Sequence, residues 1–99
     1  MRIVYTRQAT ADVREAARFY EQQQEGLAYR FTGSLQAVLE QISLFPHQFQ
    51  GFGKGVHRAP FPKPFKYSVY YYPVRERNRL LVVGVLHDAR DPDFITRRL

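Results

Sequence analysis

The chain has 99 residues, of which 44% are hydrophobic and 15% aromatic, and its formal net charge is +6 at pH 7. A chain of this length forms one domain with one modest core, which we assign to residues 1–99. The absence of cysteine excludes disulfides, thiolate metal sites and a cysteine nucleophile. No apolar run approaches the roughly 20 residues that cross a bilayer, so we expect a cytoplasmic protein with no membrane partner.

The positive charge is unevenly distributed along the chain. Residues 1–50 hold five arginines and five acids, so the whole excess of +6 lies in residues 51–99. No acid occurs between Glu40 and Glu76, whereas several basic residues do. Such a one-signed surface attracts nucleic acid or an acidic protein segment, although a merely soluble basic surface explains the charge equally well.

The first elements in chain order are a strand and a helix. Arg2–Thr6 is β-branched and aromatic, which is typical of a short strand. Thr6 or Thr10 can cap a helix that runs to about Gln23. The apolar positions of one helical face are Ala9, Val13, Ala16, Ala17 and Tyr20.

A second helix follows after a short break at Gly26, a natural left-handed helix end. It runs from about Leu27 to Pro46, because the residue before a proline resists helical geometry. Its apolar positions are Leu27, Phe31, Leu35, Val38, Leu39, Ile42 and Phe45. So short a break predicts an antiparallel helical hairpin.

The second half of the chain predicts strands. Residues 46–64 are rich in glycine and proline and predict loop or irregular edge strand, with a short strand at Val56–Phe61. Phe65–Tyr72 alternates between two faces, and a polar turn separates it from Arg79–His87. The latter segment is apolar throughout Leu80–Leu86 except for a glycine, which predicts a central strand covered on both faces.

The tail and the element order complete the fold prediction. Asp91-Pro92 ends the sheet region, and Phe94–Leu99 forms a short helix or strand. The order β-α-α-β-β-β predicts an α+β fold, in which an N-terminal strand and an antiparallel helical hairpin pack on a mostly antiparallel sheet of about four strands.

In this order and at this length, the segments resemble the RelE/ParE superfamily of toxin–antitoxin toxins over essentially the whole chain. The resemblance rests on the start just described, the strand around Arg58, and the strand Phe65–Tyr71. It rests also on Val85–Pro92, which is similar to the family's VLHxxRDP segment near the C-terminus. The ParE-like, plasmid-stabilisation branch is the most similar.

The resemblance implies a RelE/ParE-like fold and a growth-inhibiting toxin that a cognate, ParD-like antitoxin neutralises in a hetero-oligomer. ParE-like members are associated with poisoning of DNA gyrase, whereas RelE-like members cut messenger RNA on the ribosome. We expect the first activity, by binding and without a cofactor. A ribosome-dependent mRNA endoribonuclease is the alternative, and a plain interaction module that shares the fold is a third possibility.

The central strand needs cover on both faces. Strict alternation places one set of residues on each face, Leu80, Val82, Gly84 and Leu86 against Leu81, Val83 and Val85. Only one set can face the helical hairpin. A helix or strand of the antitoxin, or the chain's own Phe94-Ile95, would cover the other.

An endoribonuclease needs a group that accepts a proton, a group that donates one, and positive charge on the phosphate. The candidates, if they meet on the open face of the sheet, are Lys54, His57, Arg58, His87 and Arg90. Structural roles compete: His87 can cap its strand through backbone or Asp88, and His57 can lie exposed in a loop. Arg58 can anchor an acidic antitoxin residue, and Arg90 can pair with Asp88, Asp91 or Asp93. We therefore assign no catalytic residue.

A surface for the antitoxin or the target is the remaining site prediction. Its candidates are Arg58, Lys63, Lys66, Tyr70, Tyr72 and Arg90. The tyrosines of the predicted strand Phe65–Tyr72 can stack on bases, or can simply be strand residues, about half of them buried. The three histidines lack the spacing of metal ligands, so we expect no metal site.

Overall fold

The computed structural model describes residues 1–91 and 93–99, so Pro92 of the predicted Asp91-Pro92 stop lies outside the described residues. Helix α1 spans Arg7–Gln23 and α2 spans Leu27–Leu44. Thr6 caps α1, its hydroxyl oxygen accepting the Ala9 amide at 3.0 Å. The helical hairpin predicted from the apolar periodicity is therefore present. The end of α1 and both ends of α2 lie within a residue or two of the prediction.

The turn between the two helices is held by one carboxylate. Gly26 takes a left-handed conformation, with φ +87°, which glycine adopts without strain. The Glu21 carboxylate accepts hydrogen bonds from the amides of Gly26 and Ala28, both at 3.1 Å. At the other end, Phe45 leaves the helix and is exposed, so its predicted place on the apolar face of α2 is wrong.

The sheet has five strands, one more than predicted. The strands are β1 (Arg2–Tyr5), β2 (Gln50–Gly53), β3 (Val56–Pro60), β4 (Tyr67–Val74) and β5 (Arg79–His87). Their spatial order is β1-β5-β4-β3-β2, with β1 parallel to β5 and every other pair antiparallel. The central position of β5 is confirmed, and the additional strand is a glycine-rich edge that the sequence pattern reads as loop.

The main core lies between the helical hairpin and one face of the sheet, which we call the hairpin face. An aromatic cluster fills it, in which Phe31 stacks on Phe61 with ring centroids 5.0 Å apart and meets Phe65 edge-on at 5.4 Å. The buried β4 residues Val69 and Tyr71 belong to this core. Large, stiff rings therefore fill the core together with the aliphatic side chains of the helices and the sheet.

A β-bulge in β5 overturns the predicted assignment of its faces. Tyr70 pairs with Gly84 and Tyr71 with Val82, so Val83 is an extra residue in β5. The bulge reverses the alternation beyond it. The hairpin face holds Leu80, Val82 and Val85, whereas Leu81, Val83 and Leu86 lie on the opposite face, which we call the far face.

The chain's own tail covers part of the far face. Helix α3 (Asp93–Thr96) inserts Ile95 among Val83 and Leu86, where its Cδ1 lies 2.5 Å from the position that a Cβ on Gly84 would occupy. A side chain at this position would therefore displace Ile95, so glycine allows the close approach of the tail. Among the residues that the structure describes, no helix is long and apolar enough to cross a membrane.

The tail is also held by a buried ion pair with α1. The guanidinium of Arg98 contacts both carboxylate oxygens of Asp12, at 2.7 and 2.8 Å, with the two side chains 12% and 10% exposed. The last β1 residue in register is Tyr5, opposite Val82. Beyond it, Arg98 donates to the Val83 carbonyl at 3.0 Å, and Asp12 accepts from the Val85 amide at 3.1 Å. The pair therefore satisfies backbone groups of β5 that β1 is too short to reach.

Candidate functional site at the end of β5

A cleft of about 300 Å³ opens on the hairpin face where β5 ends. Tyr67 of β4 and Tyr20 of α1 form its aromatic walls, and their ring centroids are 5.9 Å apart. The ring of His87 meets Tyr67 edge-on at 5.3 Å. The charged side chains that line the cleft are Asp12, Glu15 and Arg90. Of the predicted site residues, this cleft brings together His87 and Arg90.

His87 forms a hydrogen bond with the backbone that follows its own strand. Its Nδ1 accepts the backbone amide of Ala89 at 3.0 Å, so that nitrogen carries the lone pair. The neutral ring then carries its proton on Nε2. The imidazole therefore closes the end of the strand, as the structural alternative for this residue supposes.

Tyr67 is held as a neutral phenol. Burial is the main cause that raises its pKa. Tyr20, once ionised, and the carboxylates of Glu15 and Asp12 raise it further, while Arg90 lowers it. Its hydroxyl is thus a donor and acceptor at neutral pH rather than a base.

Arg90 does not form the predicted pairing with a neighbouring aspartate. Its guanidinium carbon lies 4.4 Å from the centre of the Phe94 ring, in a cation–π contact. Within residues 1–91 and 93–99 the ion pairs are Arg58–Asp88 and Arg98–Asp12. The planar guanidinium therefore stacks on the tail at the rim of the cleft.

Arg58 lies on the far face, across the sheet from His87. It pairs in register with Tyr70, and its Nη2 donates to the Asp88 carboxylate at 3.1 Å. The same carboxylate oxygen accepts the hydroxyl of buried Ser68 at 2.7 Å. Asp88 thus links β3, β4 and the end of β5. It also engages one nitrogen of the Arg58 guanidinium group.

The other candidates are dispersed. Lys54, with φ +55°, lies in the exposed β2–β3 turn, and Lys63 and Lys66 are exposed between β3 and β4. Tyr70 is only 6% exposed because Phe52 packs on it, with ring centroids 5.3 Å apart, whereas Tyr72 is 39% exposed. The predicted residues therefore form no single site.

The alternative in which His57 lies exposed in a loop is wrong, because His57 belongs to β3. His57 is half-buried rather than exposed: its ring stacks on Tyr71 with centroids 5.4 Å apart, and its Nδ1 lies 3.0 Å from the Phe49 carbonyl oxygen. His57 therefore holds the segment before β2 against the sheet, which explains its position without any chemistry.

Sequence reasoning missed the contribution of α1 to the cleft. Glu15, Phe19 and Tyr20 line it, and Phe19 is 53% exposed on an otherwise polar helix face. An aromatic residue on the polar face of α1 was the one available signal, and it is not specific, since single exposed apolar side chains are common on protein surfaces.

The comparisons with known proteins agree with this architecture. Residues 3–92 match the family model described as the ParE toxin of the type II toxin–antitoxin system parDE. No curated protein matches the chain closely enough to be reported as a relative. Because the family match spans all five strands and both long helices, the chain belongs to the ParE toxin family: it is the toxin of a type II toxin–antitoxin system, a class that implies an antitoxin partner.

Proposed function

We propose that this toxin arrests growth by binding a target, DNA gyrase, without chemistry of its own. The observation that carries the proposal is the separation of Arg58 and His87 by the sheet. These were the strongest candidates for a phosphate-binding group and a proton-transfer group. A general acid or base must come within about 3 Å of the atom it serves, and a phosphate held by Arg58 on the far face is out of reach of His87 on the hairpin face.

The bonding of the two residues supports the same proposal. The Nδ1 of His87 accepts the Ala89 amide, and this bond ties the ring to the end of β5, as a structural role requires. Arg58 is engaged by Asp88, which favours a structural or partner-binding role over a phosphate clamp. Binding of a protein target through a complementary surface does not require Arg58 to hold a phosphate or His87 to transfer a proton.

A cognate, ParD-like antitoxin completes the proposal. It would neutralise the toxin in the cytoplasm as a hetero-oligomer, by covering residues that the target needs. Exposed Lys63, Lys66 and Tyr72, with the rim residue Arg90, are the proposed contact positions, since acidic antitoxin side chains would pair with the basic ones. Tyr70 is buried under Phe52 and is not itself a proposed contact position.

The test is to induce the chain in bacteria and to follow thymidine and amino-acid incorporation side by side. We expect thymidine incorporation to fall first, and the purified chain to inhibit supercoiling by gyrase. Arg58→Ala and His87→Ala should leave the arrest in place. An immediate collapse of amino-acid incorporation, abolished by either substitution in a folded protein, would instead establish the mRNA endoribonuclease.

Co-expression of the small protein encoded beside the toxin tests the antitoxin. Relief of the arrest, with co-purification of both chains, is the expected result. A chain whose expression does not slow growth at all would support the plain interaction module.

A further inference from the structure

The exposed face of α1 carries a row of arginines that the proposed function does not use. Arg7, Arg14 and Arg18 lie on it at spacings of seven and four residues, which places them along one side of the helix. They line a shallow groove that runs along the helix to Gln22. We call this surface the arginine groove.

The arginine groove is more basic than the sequence suggests, because α1's own acids are mostly engaged elsewhere. The Asp12 carboxylate pairs with Arg98 on the tail, and the Glu21 carboxylate accepts backbone amides at the start of α2. Glu15 alone among the acids of α1 lines the groove. On this face of α1 three arginines therefore face a single acid, although residues 1–50 are neutral as a whole.

The arrangement fits a row of phosphates. At about 1.5 Å of rise per residue, Arg7 and Arg18 are separated by roughly 16 Å along the helix axis. A nucleic-acid duplex carries one negative charge per about 1.7 Å of its axis, so this length faces several phosphates. Planar guanidinium groups suit phosphate oxygens in paired hydrogen bonds.

The distribution of polarity favours a nucleic acid over a protein partner. Protein–DNA interfaces are more polar and much more positively charged than protein–protein interfaces, whose fully buried centres are more apolar. Here three arginines and one glutamate line the groove, and the half-exposed Phe19 is its one large apolar side chain. Contacts made of arginines alone position a backbone and do not read bases.

We propose that the arginine groove binds the phosphate backbone of a nucleic-acid duplex, independently of its sequence. The proposal goes beyond the toxin's target. It depends only on the arginines of α1 and can be tested whether or not gyrase is inhibited. A toxin that holds duplex in this way has its other surfaces free for a protein target and for the antitoxin.

Binding of the purified chain to labelled 20-base-pair DNA and RNA duplexes, measured by anisotropy over a range of salt, tests the proposal. Three neutralised phosphates predict a log–log salt slope of about −2.7, and hence a loss of roughly 40-fold in affinity between 50 and 200 mM salt. Arg14→Ala should make the slope shallower by about 0.9, and Glu15→Gln should tighten binding. The two duplexes distinguish DNA from RNA as the source of the phosphates.

The matched control is Arg30→Ala, which removes an exposed arginine from α2 and should leave affinity and slope unchanged. Thermal unfolding of each variant checks that it is folded. Equal binding by wild type and the triple variant Arg7→Ala/Arg14→Ala/Arg18→Ala would overturn the proposal, as would duplex binding abolished by Lys63→Ala/Lys66→Ala instead. No duplex binding at low salt, with groove-dependent binding of polyglutamate, would assign the groove to an acidic protein.

Discussion

The ion pair between Asp12 and Arg98 joins the tail to α1, and its removal gives the sharpest test of the fold. Asp12→Asn keeps an oxygen that can accept the Val85 amide, but it leaves the guanidinium without its counter-charge. Because both side chains are about nine-tenths buried, water cannot replace the lost partner. Breaking a buried pair from one side costs roughly 3 to 5 kcal/mol, and we expect about 3 kcal/mol here.

Urea denaturation and thermal unfolding measure this loss. In a domain of this size about 3 kcal/mol corresponds to a fall in Tm of roughly 12 to 24 °C. Glu15→Gln, which alters an exposed carboxylate on the same helix, is the control and should change stability by less than about 0.5 kcal/mol. Asp12→Asn combined with Arg98→Met removes both charges and should recover part of the loss. A loss below about 1 kcal/mol for Asp12→Asn would refute the reasoning, since it would mean that solvent already screens the pair.

Three further predictions concern the sheet. Gly84→Ala should cost about 1 to 2 kcal/mol by urea denaturation, because its Cβ would displace Ile95, and Ile95→Val in the same chain should restore most of it. Burial raises the pKa of Tyr71 to about 12 from 10.0, so the unfolded chain loses this proton first. The free energy of unfolding should fall as pH rises from about 10 to 12, less steeply in Tyr71→Phe. Asp88→Ala should cost about 1 to 3 kcal/mol because it orphans a buried serine hydroxyl on β4, whereas Arg58→Ala should cost under about 1 kcal/mol; calorimetry that reversed this order would contradict the assignment.

Local periodicity predicted the helices that bury an apolar stripe and the strand that is buried on both faces. Both long helices and β5 follow from it, because in each the spacing of apolar residues repeats over several turns or pairs. Strand β2 did not, since Gly51 and Gly53 contribute backbone hydrogen bonds but no side-chain pattern. The face assignment of β5 failed beyond Val83 because a single inserted residue reverses alternation and leaves no mark in composition.

The candidate site was less predictable than the fold. His87 and Arg90 meet because they are close in sequence, but Arg58 was assigned to the same surface only by its position along the chain. The β-bulge and the pairing of Arg58 with the Asp88 carboxylate determine which side chains meet at the end of β5. Both are tertiary features, which a local sequence pattern does not show. The pairing of Asp12 with Arg98 joins residues 86 apart in sequence, which no local pattern can reveal.

The parallel pairing of β1 with β5 has a consequence for synthesis of the toxin. β1 leaves the ribosome first, but its hydrogen-bonding neighbour begins only at Arg79. A nascent chain that ends before that residue has a helical hairpin above a sheet without its central strand, with apolar side chains open to chaperones or to aggregation. Long-range closure of this kind is slow compared with formation of the hairpin. The sheet and the cleft at the end of β5 are therefore completed only late in synthesis, when β5 pairs with both β1 and β4.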